Sequence, residues 1–192
     1  MKSLDIHSEY MSYAVELAKN GRGNVSPNPM VGCVIVKDGK VIGEGFHEKF
    51  GDCHAEVNAL KNCSENPIDS DLYVNLEPCS YFGKTPPCVD EIISNSIKNV
   101  YIGSKDPNDK VNGRGIEILK QAGINVFTDI LAKECYELNI GFFNWINTSK
   151  PWVIAKVAQS KDGYIGKTSS ERTIITGPDS RMEVHCLRSK VD

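Results

Sequence analysis

An α/β fold in which helices cover a partly parallel sheet is what the sequence predicts, on three observations. Short β-rich runs alternate with stretches of helical apolar spacing up to about residue 147. The first two runs flank Asp38-Gly39, the favoured pair for a tight hairpin turn. Hydrophobic residues at 40% and charged residues at 24% lie in the range of packed globular domains, and 192 residues suffice for one full domain with a piece of another.

The elements follow in chain order. Tyr10, Met11, Ala14, Val15, Leu17 and Ala18 recur at helical spacing and Gly21 is a natural left-handed stop, so residues 5–20 read as an amphipathic helix. Residues 31–36 and 41–45 form the hairpin around Asp38-Gly39. Residues 54–61 favour helix, and 72–76 make a short apolar strand. Pro87 suits the first turn of a helix carrying Val89, Ile92 and Ile93, with Asp90 and Glu91 complementing the positive end of its dipole. Residues 99–102, 115–121 and 125–127 repeat strand, helix, strand, the pattern of a parallel crossover. A single closing helix, 132–145, covers the sheet. Asn147-Thr148-Ser149-Lys150-Pro151 then precedes a new apolar strand, 152–158, which predicts a domain boundary with 1–147 on one side and 148–192 on the other.

Charge and cysteine usage narrow the function classes. A net charge of −3 gives no general attraction to nucleic acid or to an anionic membrane. The N-terminus lacks an apolar signal core and no run reaches the ~18 apolar residues of a membrane span, which points to the cytosol. Seven cysteines at irregular spacing read as metal ligands plus free thiols, with Cys33, Cys53, Cys63, Cys135 and Cys186 in the second group. Gly83-Lys84-Thr85 is no phosphate-binding loop, because Pro78 stands where that motif requires glycine.

The chemistry concentrates in His54-Ala55-Glu56, followed by Pro78-Cys79 and Pro87-Cys88. One imidazole and two thiolates make a tightly held zinc site with an open fourth position, where bound water ionises near a pKa of about 7. Glu56 is then free to move protons, from the water to a ring nitrogen and on to a departing amine. Residues two apart on a helix point ~200° away from each other, so His54 and Glu56 can meet one substrate only at the mouth of a helix. There the unpaired N–H groups and the dipole favour thiolate. A closed structural site would need a fourth ligand, for which Cys53 and His47 are the candidates.

These residues, with Asn28-Pro29-Met30-Val31-Gly32-Cys33, Gly43-Glu44-Gly45-Phe46-His47, Glu77-Pro78-Cys79-Ser80, Gly83-Lys84-Thr85-Pro86-Pro87-Cys88, Asp106-Pro107-Asn108 and Gly113-Arg114-Gly115, resemble the bifunctional riboflavin biosynthesis deaminase/reductase family. The resemblance spans essentially the whole chain, and the eight residues between Cys79 and Cys88 are the family's longer loop. It implies a cytidine-deaminase-like three-layer α/β/α fold with a central mixed sheet, plus the start of a second α/β domain. It further implies that zinc sits on His54, Cys79 and Cys88, that Glu56 shuttles protons, and that Asn28, His47, Lys84, Asp106 and Asn108 line the substrate pocket. The implied reaction is hydrolysis of the 2-amino group of a ribosylaminopyrimidinone 5′-phosphate; apart from the resemblance, the general frequency of symmetric assemblies predicts a homo-oligomer.

Two departures qualify the match. Tyr81 stands where members commonly carry His, and Ile174 replaces the Trp before the Ile-Thr pair of the reductase. The tail resembles only the opening of that NADPH-dependent reductase, with Ala158 implied near cofactor and Arg188 near a substrate phosphate. NADPH is expected only with a complete reductase domain. Deamination of cytosine, guanine or a tRNA base, and a zinc-stabilised binding remnant, are the alternative readings.

Overall fold

Asp5 opens the first helix, α1 (Ile6–Ala18), by accepting the Ser8 N–H at 2.8 Å and so satisfying one unpaired group of the first turn. The computed structural model describes residues 5–83, 85–108, 111–167, 173–189 and 191. α1 buries Met11, Ala14, Val15 and Ala18 and passes into a short 3-10 turn, Lys19–Gly21. Gly21 is not the left-handed stop the spacing predicts. That conformation falls to Gly23 at φ 82°, while a Cβ on Gly21 would meet the His47 carbonyl oxygen at 2.5 Å.

The hairpin pairs β1 (Gly32–Lys37) with β2 (Lys40–Phe46), and Asp38 and Gly39 both have positive φ, 49° and 77°, as a type I′ turn requires. β3 (Asp71–Leu76) lies antiparallel to β1, whereas β4 (Asn99–Ser104) and β5 (Asn125–Phe127) run parallel to β3 and to each other. The order is β2-β1-β3-β4-β5, a mixed sheet. α2 (Ala55–Lys61), α3 (Cys88–Ser94) and α4 (Arg114–Gln121) bury Ala59, Ile92 and Leu119 on one face. On the other face α1 and α5 (Ala132–Leu138) bury Met11, Ala14 and Cys135. Three layers result, α/β/α. Tyr73, Tyr101 and Phe127 are register neighbours on that second face and stack at 4.6 and 4.8 Å, with His7 laid on Tyr101 at 4.4 Å.

Two more sequence expectations are corrected, and one helix is new. The closing helix is two, α5 and α6 (Ile140–Thr148), broken at Asn139, whose φ of −116° leaves the helical region. Trp152–Ala158 forms no strand, because strand structure needs a ladder partner and this segment has none among the described residues. Val153 and Val157 are accordingly 77% and 66% exposed. An unpredicted helix, α7 (Pro178–Arg188), starts with Pro178 in its first turn. The chain divides into two units, Met1–Pro151 and Trp152–Asp192, with α7 in the second. No helix among the described residues is long and apolar enough to cross a membrane.

Candidate active site

Two helix starts and one strand end supply the ligand cluster. His54 is the extended N-cap residue of α2, Glu56 sits in that helix's first turn, and Cys88 is the first residue of α3 after Pro87. Cys79 lies just beyond β3. α2 comes close to the sheet because Gly45 of β2 has no side chain: a Cβ there would overlap the Ala59 backbone nitrogen. The result is that His54 Nδ1 lies 3.2 Å from Cys88 Sγ and 3.4 Å from Cys79 Sγ, and the Cys88 N–H donates to Cys79 Sγ at 3.3 Å.

The donor set fits zinc. Its three atoms lie within 4.8 Å of one another. A tetrahedron with Zn–S near 2.3 Å and Zn–N near 2.0 Å has edges of about 3.5 Å. Neither candidate for a fourth ligand joins. Cys53 Sγ accepts from Lys61 Nζ at 3.3 Å, and both ring nitrogens of His47 are engaged, Nδ1 with Cys53 O and Nε2 with Asn28 Nδ2, each at 3.1 Å. Hydrogen bonding from Cys88 lowers the Cys79 thiol, and Cys79 in turn lifts His54 to about 9. Cys88 is raised by its bond to Cys79 and by burial. Burial likewise raises Glu56, whose Oε2 is buried with no hydrogen-bond partner among the described residues. A buried, unpaired carboxylate oxygen costs free energy that a bound water or substrate proton would recover.

A cleft of about 300 Å³ opens on this cluster. Glu56, His54 and Cys79 line its depth, Asn28, His47, Asp106 and Asn108 its polar wall, and Phe142 and Trp145 of α6 an apolar wall. Burial lowers His47, and the bond pattern has Nδ1–H donating to Cys53 O while Nε2 accepts from Asn28. Asp106 Oδ1 accepts the Asn108 N–H at 2.8 Å, and burial lifts its carboxyl to about 6. Tyr81, 40% exposed, lines this cleft and an adjoining hollow with Phe50 and Thr85. Lys84 lies outside the described residues. Ala158 and Arg188 belong to the second unit: Ala158 is half-buried outside any helix or strand, and Arg188 is exposed in the last turn of α7.

Three functional supports escape a reading of the sequence. Glu77, 3% exposed, accepts N–H groups from Asp106 at 3.3 Å and Gly113 at 3.0 Å on Oε2, and from Gly115 at 3.1 Å and Ile116 at 3.4 Å on Oε1. It thereby caps α4 and fixes the loop that carries Asp106 and Asn108. Asn75 and Asn139 hold Met30 in the Asn28 loop. Each is an acid or amide whose partners are backbone groups far along the chain, so only Glu77, set directly before Pro78-Cys79, carried any local signal.

A three-layer α/β/α fold presenting His and two Cys from two helix starts and a strand end defines a deaminase of the zinc-binding kind, and the family described as the cytidine and deoxycytidylate deaminase zinc-binding region matches residues 4–104. A diaminohydroxyphosphoribosylamino-pyrimidine deaminase of Buchnera aphidicola (Schizaphis graminum) is 50% identical over 142 residues, 74% of this chain and 97% of that protein. The chain therefore belongs to the RibD family of riboflavin biosynthesis deaminases. The riboflavin biosynthesis protein RibD of Actinobacillus pleuropneumoniae is 48% identical over 94% of this chain and 48% of its own length. The deaminase/reductase crystal structure from Thermotoga maritima superposes with a TM-score of 0.90 at 42% identity, covering 95% of this chain and 52% of that one. The chain thus spans about half the length of most curated RibD relatives it matches.

Proposed function

We propose that this chain hydrolyses the ring amino group of a diaminohydroxyphosphoribosylaminopyrimidine, releasing ammonia on the way to riboflavin. One observation carries the reading: His54 Nδ1, Cys79 Sγ and Cys88 Sγ converge beside a buried Glu56 Oε2 that has no partner among the described residues. The relative matched along 97% of its length bears the name of that deaminase, which supports the substrate class.

Zinc on His54, Cys79 and Cys88 would supply a Lewis acid able to make water a nucleophile at neutral pH. Glu56 moves the protons. Burial raises its carboxyl above its ordinary value, which strengthens it as a proton acceptor. Asn28 offers a donor and an acceptor to the pyrimidine edge, held in orientation by His47. Asp106 accepts from ribose hydroxyls beside Asn108, and Phe142 and Trp145 cover the apolar face of the ring. Lys84 is assigned to a phosphate or a ring carbonyl as a point charge.

The proposal places deamination in residues 1–147. Residues 148–192 are assigned as the beginning of a reductase-like part, in which Ala158 would approach NADPH and Arg188 a phosphate only within a complete domain. A cytosolic homo-oligomer completes the reading, and light scattering on the purified chain tests the association.

Elemental analysis with an ammonia assay on the phosphorylated pyrimidine tests the function. Zinc near one per chain and ammonia release are expected. Zinc-loaded protein that releases ammonia from cytosine or guanine but not from this pyrimidine would overturn the substrate.

A further inference from the structure

The loop that presents Asn28 is held from across the molecule by two buried amides. Met30, two residues on, donates its N–H to Asn139 Oδ1 at 2.8 Å, and its carbonyl accepts from Asn139 Nδ2 at 2.8 Å and from Asn75 Nδ2 at 3.1 Å. Asn75 Oδ1 accepts the Gly32 N–H at 2.8 Å. Three backbone groups at the entry to β1 thus find their partners in side chains that are 0% and 4% exposed. Backbone groups shielded from water must find protein partners, so this loop depends on those amides for its position.

Asn139 reaches Met30 because it interrupts a helix. Its N–H closes α5 on Tyr136 O, its carbonyl accepts Phe143 N–H to open α6, and the break turns its amide toward Met30. An amide presents a donor and an acceptor side by side, which matches one residue's carbonyl and N–H. α6, which begins there, also sets Phe142 and Trp145 on the cleft wall. Asn139 does not itself line the cleft.

We infer that Asn139, assisted by Asn75, is a positioning residue for substrate binding. It fixes Asn28 against His47 and couples that polar edge to the aromatic wall of α6. The inference rests on the proposed function, and it separates two properties. Zinc ligands come from α2, α3 and the end of β3, so loosening the Asn28 loop leaves the metal in place. What suffers is binding of the pyrimidine edge at Asn28, a loss felt equally before and in the transition state, which raises KM and leaves kcat nearly unchanged.

The test uses Asn139→Asp and Asn139→Ala in the full chain, with Val126→Ala on β5 as a control for general softening. Asn139→Asp keeps size and the Oδ1 acceptor but sets a second oxygen against the Met30 carbonyl. Zinc content equal to wild type is expected in all three. KM should rise ~10- to 100-fold in both Asn139 variants while kcat changes ~3-fold or less. Val126→Ala should lower Tm and leave KM unmoved. Amide exchange of the Met30 N–H should speed up ~10-fold or more in Asn139→Asp, with Val34 unchanged, a readout that needs no substrate. The inference fails with a wild-type KM in Asn139→Asp, with a loss that tracks zinc, or with an equal KM rise in Val126→Ala. Absence of turnover in wild type would strike the proposed function instead, and unaltered Met30 exchange would then strike the clamp by itself.

Discussion

The backbone N–H of Cys88 donates to the sulfur of Cys79 at 3.3 Å, so the first residue of α3 binds its fellow ligand through its main chain while offering its own sulfur to the same centre. Removing either sulfur breaks the donor set, and removing that of Cys79 also breaks this tie. Cys79→Ser and Cys88→Ser are each expected to lower zinc affinity by more than the ~10- to 100-fold typical of losses around, rather than at, a metal. Metal that binds only the folded chain contributes about 4 kcal/mol at a thousandfold excess over its Kd. Chelation should therefore lower the Tm of wild type and leave that of either serine variant almost unmoved, as calorimetry with and without chelator would show.

Glu56→Gln separates proton traffic from metal binding. The amide has nearly the shape of the carboxyl, and the ligands at His54, Cys79 and Cys88 are untouched, so zinc content should match wild type. Ammonia release should fall ~100- to 10,000-fold, the usual worth of a positioned acid–base group. Wild-type rates in a zinc-loaded Glu56→Gln protein would remove Glu56 from the mechanism.

The residues that met in the cleft were legible because metal ligation and proton transfer demand particular side chains. The roles proposed for 54, 79, 88 and 56 favour His, Cys and an acid, and the spacing of His54 and Glu56 pointed to a helix mouth. The sheet was legible for a similar reason, since Leu72–Leu76 and Asn99–Ile102 are too short and apolar for surface helix. Asn139 was not legible. Residues 132–145 keep a helical apolar rhythm, and the partner that the Asn139 amide finds at the break is Met30, 109 residues away. Glu77 was missed alike, because its partners are backbone N–H groups that every sequence offers at every position. Trp152–Ala158 has the composition of a strand, but composition supplies no ladder partner.

Gly115 has to be glycine for a reason that lies in the Cys79 segment. A Cβ there would overlap the Pro78 carbonyl oxygen and come 3.2 Å from Glu77 Oε1. Gly115→Ala forces α4 away from the strand end that carries Cys79, an overpacking that costs about 1–3 kcal/mol. A Tm fall of about 2–12 °C follows for a chain of this size. Gly123→Ala, at φ 86° with open space around its Cβ, is expected to lose stability through backbone strain alone and to leave zinc affinity unchanged. Paired melting curves and zinc titrations distinguish the two, and equal zinc affinity in Gly115→Ala would argue against the link to Cys79.

Asp106 makes stability depend on pH in a direction opposite to that of most carboxylates. Burial lifts it to about 6 from the ordinary 3.8, against the Asn108 N–H bond that pulls it down and with Glu77 adding to the rise. In the unfolded chain the proton is gone above about pH 4. Between there and about 6 the folded protein holds more protons, so this group's contribution is complete below pH 4, declines as pH rises through the window, and is lost above it. Asp106→Asn removes the titration. It is expected to match wild type near pH 4 and to exceed it by about 2 kcal/mol near pH 8, and the ribose contact proposed for Asp106 would show as a raised KM. Urea titrations of the two chelated proteins at both ends of the window measure the difference, in which the metal ligands' own protonation cancels. A wild-type stability that climbs through this window as fast as that of Asp106→Asn would mean that the Asp106 carboxyl is already ionised at the mouth of the cleft.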